Sequence, residues 1–123
     1  MYIIAVGGQM EKKKISDLIK QHGNGNFQVF IKNDIEAALM VKKGEADYYF
    51  GCCATGGGGS LAGAIAILGY SACSSISMPG KPPKKSDIVD KLNKGIKAFG
   101  FTDNHADLAV QLLIEAIMDN NKK

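Results

Sequence analysis

Short apolar runs alternate with amphipathic stretches along the whole chain. The runs near Tyr2 to Val6, Phe27 to Ile31, Asp47 to Phe50, Ala72 to Ile76 and Ala98 to Phe101 read as strands. Between them lie helical patterns. The first carries Ile15, Leu18, Ile19 and His22 on one face and should stop near Gly23. The second is the best marked: Asn33 can cap it, Asp34 and Glu36 suit its positive end, Lys42 and Lys43 its negative end, and Gly44 the left-handed position beyond. A small-residue pattern runs from Leu61 to Gly69. A fourth helix should run from Ser86 to Gly95, and a fifth from Thr102 or Asp103 to about Asn120, with Ala106, Val110, Leu113 and Ile117 inward. Strands alternating with helices predict a single three-layer αβα domain over 1–123, with a five-stranded, mainly parallel sheet of flavodoxin-like or Rossmann-like type. With right-handed crossovers the simplest strand order is the flavodoxin-like one.

Ligands of such sheets sit beyond the carboxyl ends of the strands. Here those ends are Gly7-Gly8-Gln9, Lys32-Asn33-Asp34, Cys52 to Ser60, Ser77 to Lys85, and Thr102 to His105. The third end stands out, because Thr55-Gly56-Gly57-Gly58-Gly59-Ser60 leads from a strand straight into a helix. Four successive glycines cost backbone entropy on ordering, and close approach of an anionic ligand to bare N–H groups at a helix start accounts for them. A flexible turn that lets helix and sheet pack tightly is the competing explanation. The run is no Walker A loop, since no Gly-Lys-Ser/Thr closes it, and Gly7-Gly8 lacks dinucleotide spacing.

Cys52 and Cys53 lie where this strand gives way to the glycines. Near a helix N-terminus a thiol is favoured as thiolate and can serve as base or nucleophile; alternation of faces makes at least one of the pair a small buried hydrophobe. Cys73, within a strand, reads as core. His105 stands on the same sheet edge, beside Thr102, Asp103 and Asn104, and is the better acid–base candidate of the two histidines. His22 suits capping or packing. Lys12-Lys13-Lys14 opposes the dipole of the first helix and reads first as a solvated face, second as an anion attractor. Lys81, Lys84 and Lys85, among Pro79, Gly80, Pro82 and Pro83, are placed to cover a ligand as a lid, or to form a stiff surface connection.

Composition narrows the partners. The 123 residues are nearly half hydrophobic, enough for one normal core. No apolar stretch approaches a membrane span, and a net charge of +3 does not indicate nucleic acid. An odd number of cysteines and a start without a basic n-region suggest a reduced, cytosolic protein. All fifteen basic residues are lysines, so an anion site must use Lys, hydroxyls and backbone N–H groups. No His, Cys and carboxylate spacing matches a metal site. Leu61 to Gly69 contains no polar residue, and a helix apolar all round needs cover on every side, from a second subunit or from neighbours in its own layer.

Three resemblances follow from these residues. Phe27 to Ala38, Asp47-Tyr48-Tyr49-Phe50-Gly51, the glycine loop and Ala98-Phe99-Gly100-Phe101 resemble the YhfU-like family of small bacterial proteins over nearly the whole chain, which implies the fold and assigns no reaction. The Cys-then-glycines loop is similar to that of the glycine-rich SFCGS proteins. More distantly, Cys53-Ala54-Thr55-Gly56-Gly57-Gly58 followed by Ser60-Leu61-Ala62 resembles the loop of the ribose-5-phosphate isomerase B group. That resemblance implies Cys53 as the base moving a proton between adjacent sugar carbons, and Thr55 to Gly58 as an anion hole. Two departures stand against it. Those isomerases carry an Asp-His pair after the first strand, where this chain has Gly7-Gly8-Gln9, and they bind phosphate with arginines.

The expectation is a cytosolic homo-oligomer that binds a small anionic metabolite, phosphorylated or carboxylated, through Cys52 and Thr55 to Ser60, with Gly7, Gly8, Asn33 and Lys81 contributing, and with neither cofactor nor metal. One alternative is an aldose–ketose isomerase using Cys53 and His105. Another is a non-catalytic accessory subunit of a membrane transporter.

Overall fold

The computed structural model describes residues 1–8, 10–54 and 58–120, with the side chains of 58–60 outside that description. The elements are β1 (Tyr2–Gly8), α1 (Lys12–Gly23), β2 (Phe27–Ile31), α2 (Asp34–Lys42), β3 (Tyr48–Cys53), α3 (Gly58–Leu68), β4 (Cys73–Ser75), α4 (Lys85–Asn93), β5 (Ala98–Thr102) and α5 (Ala106–Asn120). A short 3₁₀ turn at Tyr70–Ala72 precedes β4, and another at Asp103–His105 precedes α5.

The sheet is parallel throughout, in the order β2-β1-β3-β5-β4. The flavodoxin-like order is thereby corrected: β5 lies inside and β4 takes the edge. The reason is legible in the strands themselves. Ala98–Thr102 is buried at every residue, as an interior parallel strand must be, whereas β4 is three residues long and half-buried at Ser74 and Ser75. The exposed edge is blunted by Lys91, whose Nζ donates to the Ser75 carbonyl at 3.0 Å.

Right-handed crossovers place the helices. A connection moving left across the sheet and one moving right put their helices on opposite faces. Thus α1, α4 and α5 cover one face, and α2 and α3 the other. The two faces differ in bulk. On the first, Ile4, Val6, Phe50, Phe99 and Phe101 pack against Ile15, Ile19, Ile88, Leu113 and Ile117. On the second, Ala5, Ala37, Ala38, Leu61, Ala64 and Ala98 surround a single large ring, that of Tyr49. Small side chains let α2 and α3 approach the sheet closely.

Local signals account for the helix ends. Asn33 Oδ1 accepts from the Glu36 N–H at 2.8 Å while its amide donates to Glu36 Oε1 at 2.7 Å, a reciprocal capping box. Gly44 takes the left-handed conformation, φ 78°, past the end of α2. Helix α3 starts at Gly58, so Gly58 and Gly59 form its first turn. The lysine run meets surface partners: Lys12 Nζ donates to the Lys32 carbonyl, Lys13 faces Asp17 and Lys14 faces Asp107. It is a solvated face. Among the described residues no helix is long and apolar enough to cross a membrane.

Candidate functional site

The connection leaving β3 has a distinct position. Loops leaving its two neighbours, β1 and β5, turn to the α1/α5 face, whereas the β3 loop turns to α3 on the other face. In open α/β sheets, ligands bind where adjacent loops diverge in this way. Register then decides what lies there. Gly7, Gly51 and Gly100 stand side by side on β1, β3 and β5, with Ser75 next on β4. Two residues further toward the strand ends, Cys53 pairs with Thr102.

Strand alternation separates the two cysteines. Cys52 is fully buried in the cluster beneath α1 and α5, while Cys53 is 3% exposed on the same side of the sheet as Tyr49. Burial, above all, and then the negative charge of Asp103, push the Cys52 thiol up to about 12, with Lys14 pulling weakly the other way. Cys52, expected in the ligand-binding loop, thus lies as a neutral thiol in the core on the α1/α5 face. Cys73 is also buried, and burial raises it. Thr102 is tied to the chain beyond β4: its N–H donates to Ser77 Oγ at 3.0 Å, and the two hydroxyls lie 3.2 Å apart.

Gly7 and Gly8 close the β1 side. A Cβ added at Gly7 would fall 2.6 Å from Tyr49 Cε2 and 3.1 Å from both the Ala37 Cβ and the Asp34 Cα. Gly8 has φ 80°, and a Cβ there would lie 2.8 Å from the Cys52 nitrogen. Both positions demand glycine. His105 lies in the 3₁₀ turn after β5, and its Nε2 is buried with no hydrogen-bond partner among the described residues.

The remaining expected ligand-contact residues divide into the glycine loop, Asn33 and Lys81. Thr55, Gly56 and Gly57 lie outside the described residues, and Gly58, Gly59 and Ser60 open α3. Asn33 caps α2 through Oδ1, and its Nδ2 donates to the Glu36 carboxylate. Lys81 closes a tight turn with Met78 through two backbone hydrogen bonds, 3.1 and 2.9 Å, around Pro79 and Gly80. With Lys84 and Ser77 it lines a cavity of about 640 Å³ at the β4 edge, two strands from Cys53. That cavity is the roomier of the two described, yet it lies to the side of the divergence at β3. The packing of the Tyr49 ring against Gly7 was legible only through the Gly7-Gly8 pair, since bare positions on one strand call for bulk on its neighbour. No group of three His, Cys, Asp or Glu among the described residues is arranged to hold a metal ion.

The architecture is that of an all-parallel α/β protein, and its backbone is similar to the type B ribose 5-phosphate isomerase of Trypanosoma brucei. The TM-score is 0.70 over 95% of this chain and 85% of that one, and at 14% identity the likeness carries the fold alone. The family is narrower. The chain belongs to the family of proteins of unknown function DUF2620, whose model matches residues 2–117. It is 40% identical over 111 residues to the uncharacterized protein YhfU of Escherichia coli K12, and likewise to that of Shigella flexneri, covering 90% of this chain and 94% of each relative.

Proposed function

We propose that this protein is a single cytosolic domain that binds a small anionic metabolite, phosphorylated or carboxylated, at the C-terminal end of β3. One observation carries the reading: the lone β3 loop leads into the N-terminus of α3 above a row of glycines, where backbone N–H groups and the helix dipole favour negative charge. Lysine side chains are secondary to this, since the described ones near the strand ends are either paired at the surface or two strands away.

A second reading is favoured by one further placement. Cys53 ends β3 on the α3 side, beside the proposed anion seat, and the fold is similar to that of the isomerase named above. In that reaction the Cys53 thiolate takes a proton from the hydroxyl-bearing carbon beside a carbonyl and returns it to the former carbonyl carbon, while the hydroxyl proton passes to the former carbonyl oxygen. Competitive alkylation with iodoacetamide tests both readings. Cys53 should label at least tenfold faster than Cys52, and saturating ribose 5-phosphate should slow it. Equal, slow labelling of both thiols removes the isomerase reading. The binding reading is checked by thermal shift, where a ligand at a hundred times its Kd raises Tm by roughly 10 °C. No shift with phosphate, sugar phosphates or carboxylates removes it.

A further inference from the structure

The roomier of the two described cavities takes no part in the β3-end site. It lies just past the end of β4, two strands from Cys53, and its volume of about 640 Å³ is that of a small-molecule site. Its walls are held by the chain itself. Two backbone hydrogen bonds between Met78 and Lys81 fix the turn on one side, and Pro82 and the buried Pro83 stiffen the segment that follows. Opposite them the Ile76 N–H donates to the Gly100 carbonyl at 2.8 Å.

The lining is of two kinds. Apolar surface comes from Ile76, Pro82 and Met78, and the Met78 side chain, 47% exposed, is a flexible thioether suited to covering an apolar ligand. Most polar groups are already engaged. Ser75 Oγ donates to the Ser77 carbonyl at 3.1 Å, Ser77 Oγ accepts from the Thr102 N–H and meets its hydroxyl, and Lys91 Nζ donates to the Asp87 carboxylate at 2.9 Å. Lys81 and Lys84 are different. Among the described residues neither side chain has an ion pair or a hydrogen bond, whereas Lys85, Lys91 and Lys94 on the adjoining helix all meet carboxylates.

This combination selects a class of ligand. Two ammonium groups only donate hydrogen bonds and attract an acid, while the apolar wall suits a body that needs no polar partner. A polyol fits poorly, since its hydroxyls would be buried against Ile76 and Met78 where the serine hydroxyls are already engaged. Asp87 opposes an anion, yet two lysines face it across the lining and Lys91 offsets its charge.

We propose that this cavity is a second ligand site, independent of the one at the end of β3, that takes a monocarboxylate on an apolar body, of the medium-chain or aryl type. The carboxylate sits at Lys81 and Lys84, and the body lies against Ile76, Met78 and Pro82.

Correlation spectra of the ¹⁵N-labelled full chain, titrated with hexanoate, acetate and hexanol, test it. Hexanoate should shift the amides of Ser77, Met78, Gly80, Lys81 and Asp87 saturably. Acetate keeps the charge without the body and hexanol the body without the charge, so each should bind there at least tenfold more weakly. The side chains to be changed are exposed, which leaves the core untouched. Lys81→Gln combined with Lys84→Gln should weaken hexanoate fivefold or more and hold hexanol within twofold. Met78→Ser should weaken hexanoate threefold or more and hold acetate within twofold. The proposal is overturned by hexanoate shifts that are absent or confined to Gly8, Cys53 and Gly58, by acetate binding as tightly as hexanoate, or by an unchanged affinity in both variants. The β3-end site does not rest on this cavity and is read separately, by ribose 5-phosphate.

Discussion

Gly7 is glycine because the Tyr49 ring occupies the space its side chain would need, and this single contact organises the α2/α3 face. The same parity that turns Tyr49 toward α2 and α3 turns Cys52 toward α1 and α5. Sequence alone left that parity open, because the apolar run Tyr48-Tyr49-Phe50 does not say where the strand ends, and a strand reaching Cys53 fixes it. Burial of Cys52 has a consequence at alkaline pH. Its thiol ionises near 9.0 when unfolded and near 12 when folded, so between those values the unfolded chain holds fewer protons and stability falls as pH rises, by up to about 1.4 kcal/mol per pH unit. Cys73, and above pH 10 Tyr49, slope the same way. Urea midpoints measured from pH 8 to 11 should therefore fall less steeply in Cys52→Ala than in wild type. Identical slopes would show that Cys52 is not held neutral by the fold.

Among the elements, α2 was legible to the residue because its signals are local: a capping box, acids in the first turn, a lysine and a left-handed glycine at the end. Strand order was not, because it depends on comparing β4 with β5, and only their lengths and burial decide which can stand inside. The glycine run was legible as a strand-to-helix junction, while the start of α3 within it was not, since propensity argues against opening a helix with Gly58 and Gly59. Asn33 was read both as a cap and as a ligand contact, and the structure shows the cap, through its hydrogen bonds to Glu36. Asn33→Ala should accordingly cost about 1 kcal/mol of stability and leave ligand-induced thermal shifts unchanged. A loss of the shift with stability intact would return Asn33 to the site.

At the scale of the molecule, charge is unevenly spread. No charged residue occurs between Asp47 and Lys81, and α3 lies within that span with Ala62 and Ala66 exposed and Tyr70 beyond it 81% exposed. Helix α3 is flanked in its layer by α2, and its outer face carries no charge to hold water or repel a copy of itself, so the expectation of a homo-oligomer stands as a proposal. Light scattering at micromolar concentration should give a mass above that of one chain, and Ala66→Glu should reduce it to one chain with unchanged circular dichroism; Ala64, fully buried, would report on the fold instead. A wild-type monomer would contradict the proposal. The central claim is the anion site at the end of β3. It is tested most directly by ¹H–¹⁵N correlation spectra of the labelled protein titrated with ribose 5-phosphate, because glycine amides fall in a distinct region and line that site. The account predicts saturable shifts at Gly8, Cys53, Gly58 and Gly59, with Gly80 and Lys81 unmoved; shifts confined to Gly80 to Lys84, or none at all, would contradict it.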